Sequence, residues 1–211
     1  MFDQRFLFFE RAQLPGIFND VGLLGLGVEV GTRAGVFAKV LREKWDGAVL
    51  WCVDPWSERY DTNYTQPAHD AYREAARRAL DATGKPYELF SGTSLMAAEH
   101  FHRNGVAPSW VYLDGDHSRE AVEADIAAWW PLLLDGGMLC GHDYVADGWH
   151  RANEPGVAFP TREEAGSGGH QVEPFGVKGA VDAFVRRREL SLYTSDPAWD
   201  GGWVSWAVAK L

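Results

Sequence analysis

The stretch Val28-Glu29-Val30-Gly31-Thr32-Arg33-Ala34-Gly35 decides how this chain is read. An apolar run, Gly27–Val30, ends in an acid and a glycine turn. A helical pattern with Val36, Val40 and Leu41 on one face follows to about Trp45. A strand, a glycine turn and a helix make the first half of a βαβ unit. Glycine lets backbone approach a ligand closely, and the following helix presents its N-terminus. The turn is not the dinucleotide fingerprint, because a register begun at Gly25 and Gly27 meets Val30 where the third glycine is needed. With Glu29 just before the turn, the loop suits the cationic end of a ligand better than a pyrophosphate.

Working outward, the alternation repeats. Strands are expected at Ala48–Val53, Tyr87–Phe90, Ser109–Leu113 and Met138–Gly141. Helices are expected over Pro67–Ala82, from a Thr93 or Ser94 cap, from Ser118 to about Leu134, and over Gly176–Arg188. Two last strands, near Leu190–Tyr193 and Trp203–Ala209, read as an antiparallel hairpin closing the sheet edge. The whole is a doubly wound, mostly parallel α/β domain spanning 1–211. Between Tyr144 and Phe175 the pattern dissolves into Gly, Pro and charge, and a loop of this length is read as a mobile lid, with plain surface disorder as its competitor. Met1–Glu10 is read as an amphipathic helix, since it lacks a basic start and a cleavage site.

Composition narrows the function. No apolar run reaches the roughly 18 residues of a membrane span, and a cytoplasmic location is expected. The net charge of −10 argues against a nucleic-acid partner. The basic cluster Arg186-Arg187-Arg188 sits late on a helix, where it complements the dipole. Cys52 and Cys140, the only two cysteines, lie in strands and are read as buried free thiols. Homo-oligomerisation stays open.

In open α/β sheets ligands bind at the carboxyl ends of the strands. Asp54 ends the second strand, where an acid hydrogen-bonds ribose hydroxyls. With Glu29, Gly31, Thr32 and Gly35 it points to an adenosine-type ligand; Trp56, next to the acid, and Ser94, near the third strand end, are grouped with that site. Asp114 ends strand four, and His142 and Asp143 end strand five. Carboxylate and imidazole donors suit Mg²⁺ or another divalent ion with open positions, which would lower the pKa of an acceptor hydroxyl. The rival role for His142 is general base, and His117 is a second base candidate. Trp149, Tyr144 and Phe175 are candidate pocket walls. His150 and His170 carry no spacing signal, and His69, His100 and His102 are read as structural.

Five motifs occur in order: Val28-Glu29-Val30-Gly31-Thr32, Cys52-Val53-Asp54-Pro55-Trp56, Leu113-Asp114-Gly115-Asp116-His117-Ser118, Gly141-His142-Asp143-Tyr144 and Gly176-Val177-Lys178-x-Ala180-Val181. Together, over roughly residues 25–185, they resemble the class I methyltransferases related to bacterial small-molecule O-methyltransferases, including those of macrolide and cephamycin biosynthesis. The resemblance implies a seven-stranded Rossmann-like sheet with a reversed last hairpin. It also implies S-adenosylmethionine held by Glu29, Gly31 and Asp54, and methyl transfer to a small-molecule acceptor. Metal-dependent relatives place a carboxylate at the position of Asp114, which is counted with the cofactor contacts as well. They place an acid–acid or acid–amide pair where this chain has His142-Asp143. Two other readings stay open: a non-catalytic adenosyl-binding protein on the same fold, and a nicotinamide-dependent oxidoreductase.

Overall fold

The computed structural model describes residues 6–151, 157–167 and 172–211. Seven strands form one sheet: β1 (Leu26–Val30), β2 (Val49–Asp54), β3 (Tyr87–Ser91), β4 (Trp110–Leu113), β5 (Met138–Gly141), and, from the C-terminal end, β8 (Leu192–Thr194) and β9 (Trp206–Ala209). Their order is β3-β2-β1-β4-β5-β9-β8. The first five are mutually parallel; β9 runs antiparallel to β5 and β8. The expected doubly wound sheet with a reversed C-terminal hairpin is therefore present, although β9 begins at Trp206 and leaves Trp203 in the preceding loop.

Both faces of this sheet are covered, which is why β4, β5 and β9 read as unbroken apolar runs. Side chains alternate between faces. Trp110 and Tyr112, Met138 and Cys140, Ala207 and Ala209 pack with Phe18 of α1 (Leu14–Asp20) and with Phe37 and Leu41 of α2 (Val36–Lys44). Val111 and Leu113, Leu139, Trp206 and Val208 pack on the other face. Their partners are Phe101 of α4 (Ser94–Arg103), Ile126 and Trp129 of α5 (Arg119–Trp129) and Val181 of α7 (Val177–Arg188). The Trp110 ring lies where a side chain on Gly27 would be, 2.2 Å from that Cβ position. It stacks on Phe18 at 4.5 Å and meets Trp45 edge-on at 4.9 Å. Helix α3 (Gln66–Asp81) closes on the first loop, with the Ala76 Cα 2.7 Å from a Cβ placed on Gly35. Cys52 and Cys140 are free and buried, as read.

Three expectations are corrected. The segment after Asp143 carries structure of its own: β6 (Gly148–Arg151) pairs antiparallel with β7 (Val172–Phe175), and α6 (Arg162–Gly166) lies between them. Its polar, glycine-rich sequence hid the hairpin because little of it is buried on both sides. At the N-terminus, residues 7–10 are not helical; the helix begins at Leu14, with Pro15 in its first turn. Residues 1–5 of the expected helix, and His170, lie outside the described residues. Helix α5 stops at Trp129, and a short 3-10 turn, Trp130–Leu132, follows around Pro131. Among the described residues no helix is long and apolar enough to cross a membrane.

Candidate functional site

Strand order reverses between β1 and β4, and the loops leaving these two strands are pressed together there. The Asp114 amide donates to the Val30 carbonyl at 2.9 Å, and the Gly31 amide donates to Val53 at 2.8 Å. A Cβ on Gly31 would sit 1.8 Å from the Asp114 carbonyl oxygen, and its φ is +88°. Glycine is thus required twice over at this position.

The Glu29 carboxyl is buried at the floor of this junction, 2% exposed. Its Oε2 accepts the Thr32 hydroxyl at 2.8 Å. Burial pushes its pKa up to about 8, against the pull of the Thr32 hydrogen bond. Asp54 joins the neighbouring loops: Oδ2 accepts the Arg33 amide and Oδ1 the Trp56 amide, both at 2.8 Å. Burial raises the Asp54 pKa while those two amides oppose the rise. Both donors sit in left-handed backbone, with φ of 48° at Arg33 and 40° at Trp56. The Trp56 indole N–H donates back to the Arg33 carbonyl at 2.8 Å. The Arg33 guanidinium lies over the rings of Tyr64 and Tyr72, at 4.7 and 4.9 Å. This clamp was not read from the sequence, because its rings come from a loop and a helix more than thirty residues away. Ser94, the first residue of α4, accepts the Trp129 indole N–H at 2.9 Å, and Thr93 is the cap.

Beside this junction four titratable side chains meet. His117 Nε2 is 3.0 Å from Asp143 Oδ2 and 3.8 Å from Asp114 Oδ1. His142 Nδ1 is 3.3 Å from Asp143 Oδ1 and 3.8 Å from Asp114 Oδ1. One donor atom each from Asp114, His117 and Asp143 lies within 4.8 Å of the others. Burial alone would raise the Asp143 carboxyl; the His117 and His142 imidazoles outweigh it and hold the group well below the ordinary carboxylate range. Burial lowers the His142 pKa, but Asp114 and Asp143 carry it above its ordinary value. Two carboxylates and facing imidazoles match the donor set of a divalent cation with open positions, and the residues present fit such an ion.

The hairpin after β5 forms one wall. The Gly176 amide donates to the His117 carbonyl at 2.8 Å. The Phe175 ring stacks on His117 at 4.7 Å and on Trp203 at 5.3 Å, and His150 packs against Phe175 at 4.8 Å. Of the other expected wall residues, Tyr144 is tied to α7 through Asp182 at 2.5 Å and Lys178 at 3.2 Å. Trp149 pairs with Phe159 and lies under Arg162. His69 is held by the Asp61 carbonyl at 2.9 Å. The other wall is the N-terminal arm: Arg11 lies over Phe37 at 5.0 Å and donates to Asp114 Oδ2 at 3.4 Å. Nothing in the sequence around Arg11 marks it. A cavity of about 480 Å³ lies between α5 and α7, lined by Trp130, Ala180 and Phe184 among others, and none of the rim residues borders it.

Residues 26–144 match a family of proteins described as the methyltransferase domain. The chain belongs to that family. The methyltransferase has the class I methyltransferase fold that it shares with its solved neighbours. It is similar to the O-methyltransferase from Bacillus cereus solved with S-adenosylhomocysteine: 14% identity, 94% of this chain, 80% of that one, TM-score 0.61. It is similar to the O-methyltransferase TomG from Streptomyces achromogenes, involved in tomaymycin synthesis and solved with S-adenosylmethionine: 17% identity, 95% and 80% coverage, TM-score 0.61. An O-methyltransferase family protein from Burkholderia thailandensis is spanned over 55% of its length by 94% of this chain, at 12% identity and a TM-score of 0.60. No curated protein sequence matches the chain.

Proposed function

We propose that this methyltransferase moves a methyl group from adenosylmethionine to a hydroxyl oxygen of a small molecule, with a divalent cation held by Asp114, Asp143 and the facing imidazoles. The observation that carries the reading is the convergence of Asp114, His117 and Asp143 beside the Gly31–Asp114 junction, with His142 adjoining both carboxylates from outside that trio. The Bacillus and Streptomyces proteins are both O-methyltransferases, which supports the choice of oxygen.

The cofactor set is Glu29, Gly31, Thr32, Gly35, Asp54, Trp56, Ser94 and Asp114. Glu29 supplies a buried carboxyl for the cationic amino-acid end. Asp54 keeps lone pairs beyond its two amide bonds for ribose hydroxyls, and the Arg33–Trp56 link fixes its direction. When bound, a divalent cation would supply the Lewis acidity that makes an acceptor hydroxyl easier to ionise. His142, buried between two carboxylates, is held in place to share a proton or a cation with them. Phe175 and Trp203 stack behind His117, fix its ring and exclude water from one side.

A second reading is favoured by the 3.0 Å His117–Asp143 contact, an acid–imidazole pair of the kind that serves as a general base without metal. One experiment separates the two. Purified protein is screened for methyl transfer to polyhydroxylated and phenolic acceptors, with Mg²⁺ or Mn²⁺ and with a chelator. Loss of turnover on chelation, with adenosylmethionine affinity retained, supports the cation. Full turnover in chelator supports the histidine base, and absence of adenosylmethionine binding overturns both.

A further inference from the structure

Asp114 divides its two oxygens. Oδ1 faces His117 and His142, each at 3.8 Å, whereas Oδ2 accepts the Arg11 guanidinium at 3.4 Å. Arg11 comes from the arm that precedes α1, and the arm is pinned from the opposite end of the chain. The Asp196 amide donates to the Phe9 carbonyl at 3.0 Å. Asp200 Oδ1 accepts the Arg11 amide at 3.4 Å, while its Oδ2 accepts the hydroxyls of Ser195 and Ser205 at 2.8 and 2.7 Å. Asp200 is thereby fixed by the β8–β9 hairpin, and the backbone of Arg11 is fixed on Asp200. The guanidinium rests on Phe37, whose ring packs on Tyr112 at 4.7 Å. The side chain is about one-third exposed, so it has room to leave.

We propose that Arg11 is a tethered counter-cation for Asp114, which carries the charge of the acidic cluster when no metal is bound and which a divalent cation must displace or repel in order to bind. The inference rests on the cation reading given above. Its physical basis is plain: a guanidinium and a divalent ion on the same carboxylate repel one another at a few ångströms, in a partly buried setting where screening is weak. The arm therefore sets the metal affinity of a site whose ligands lie more than a hundred residues further along the chain.

The test uses full-length protein without acceptor. Mn²⁺ binding is measured by calorimetry, or by the resonance of free Mn²⁺, in the wild type, Arg11→Met and Arg11→Lys. Methionine keeps an apolar stem against Phe37 and removes the charge; lysine keeps the charge without the planar fork. Arg11→Met is expected to bind Mn²⁺ at least tenfold more tightly than the wild type, and Arg11→Lys to stay within threefold of it. Equal or weaker binding by Arg11→Met, or equal tightening by both variants, overturns the proposal and leaves the metal reading standing. If neither the wild type nor Arg11→Met binds Mn²⁺ while both bind adenosylmethionine, the metal reading itself fails, and this proposal with it.

Discussion

Replacing Glu29 with glutamine tests the electrostatics of the rim at its floor. In the ligand-free fold, burial lifts this carboxyl from 4.5 to about 8. That gap corresponds to about 5 kcal/mol of disfavoured ionisation, so at pH 7 the protonated form predominates. The sign follows. The folded pKa lies above the unfolded one, so Glu29 contributes stability that is present below pH 4.5 and is lost as pH rises through about 8. Glu29→Gln should leave thermal stability unchanged near pH 4 and raise it at pH 9. Cofactor binding reverses the preference, because a cationic ligand end beside the carboxyl favours the ionised form. Wild-type affinity for adenosylmethionine should climb by up to about tenfold per pH unit between pH 6 and 8, with close to one proton released. Glu29→Gln should lose that slope and bind as weakly as the wild type does at pH 6. Calorimetry in two buffers of different ionisation enthalpy reads both affinity and proton release. A wild-type affinity independent of pH, or an equal slope in the glutamine variant, refutes the reasoning.

Asp125, buried on α5, has its pKa raised to about 6 by burial, against a hydrogen bond from Ser94; Asp125→Asn should stabilise the protein by up to about 3 kcal/mol above pH 6 and lose that effect below the unfolded value of 3.8, as read by thermal melts. Gly31→Ala forces a Cβ to within 1.8 Å of the Asp114 carbonyl at φ +88° and should cost about 4 kcal/mol in urea denaturation; a loss under about 1 kcal/mol would show that the two loops can separate freely. Asp143→Asn should lower turnover by about a hundredfold or more while adenosylmethionine affinity stays within about threefold of the wild type, whereas an equal loss of both would place Asp143 in cofactor binding instead. Phe175→Ala removes the ring stacked on His117 and should lower kcat by roughly tenfold with little change in cofactor affinity; unchanged kcat would show that the hairpin does not position the imidazole.

The parts of the fold that were legible in the sequence are those where one physical demand dominates. Strands buried on both faces must be apolar throughout, so β1, β2, β4 and β5 stood out, and the acids that end them marked the rim. Gly31 was legible as a turn, but its second reason, the Asp114 backbone against it, needed the strand order. Long-range partners were not legible. Arg11 meets Asp114 only because the C-terminal hairpin pins the arm, and Arg33 meets Tyr64 and Tyr72 only because α3 packs on Gly35. The β6–β7 pairing is not legible because each strand has only four residues and mixes apolar with charged side chains, yet its Phe175 supports one of the imidazoles at the centre of the site.

A crystal structure of the complex with S-adenosylhomocysteine, grown in Mn²⁺ and recorded at a wavelength where manganese scatters anomalously, bears on all of this at once. The expected result is a nucleoside between Glu29 and Asp54, with an anomalous peak at ligand distance from Asp114 and Asp143. A nucleoside seated elsewhere, or manganese away from those two carboxylates, would contradict the site described.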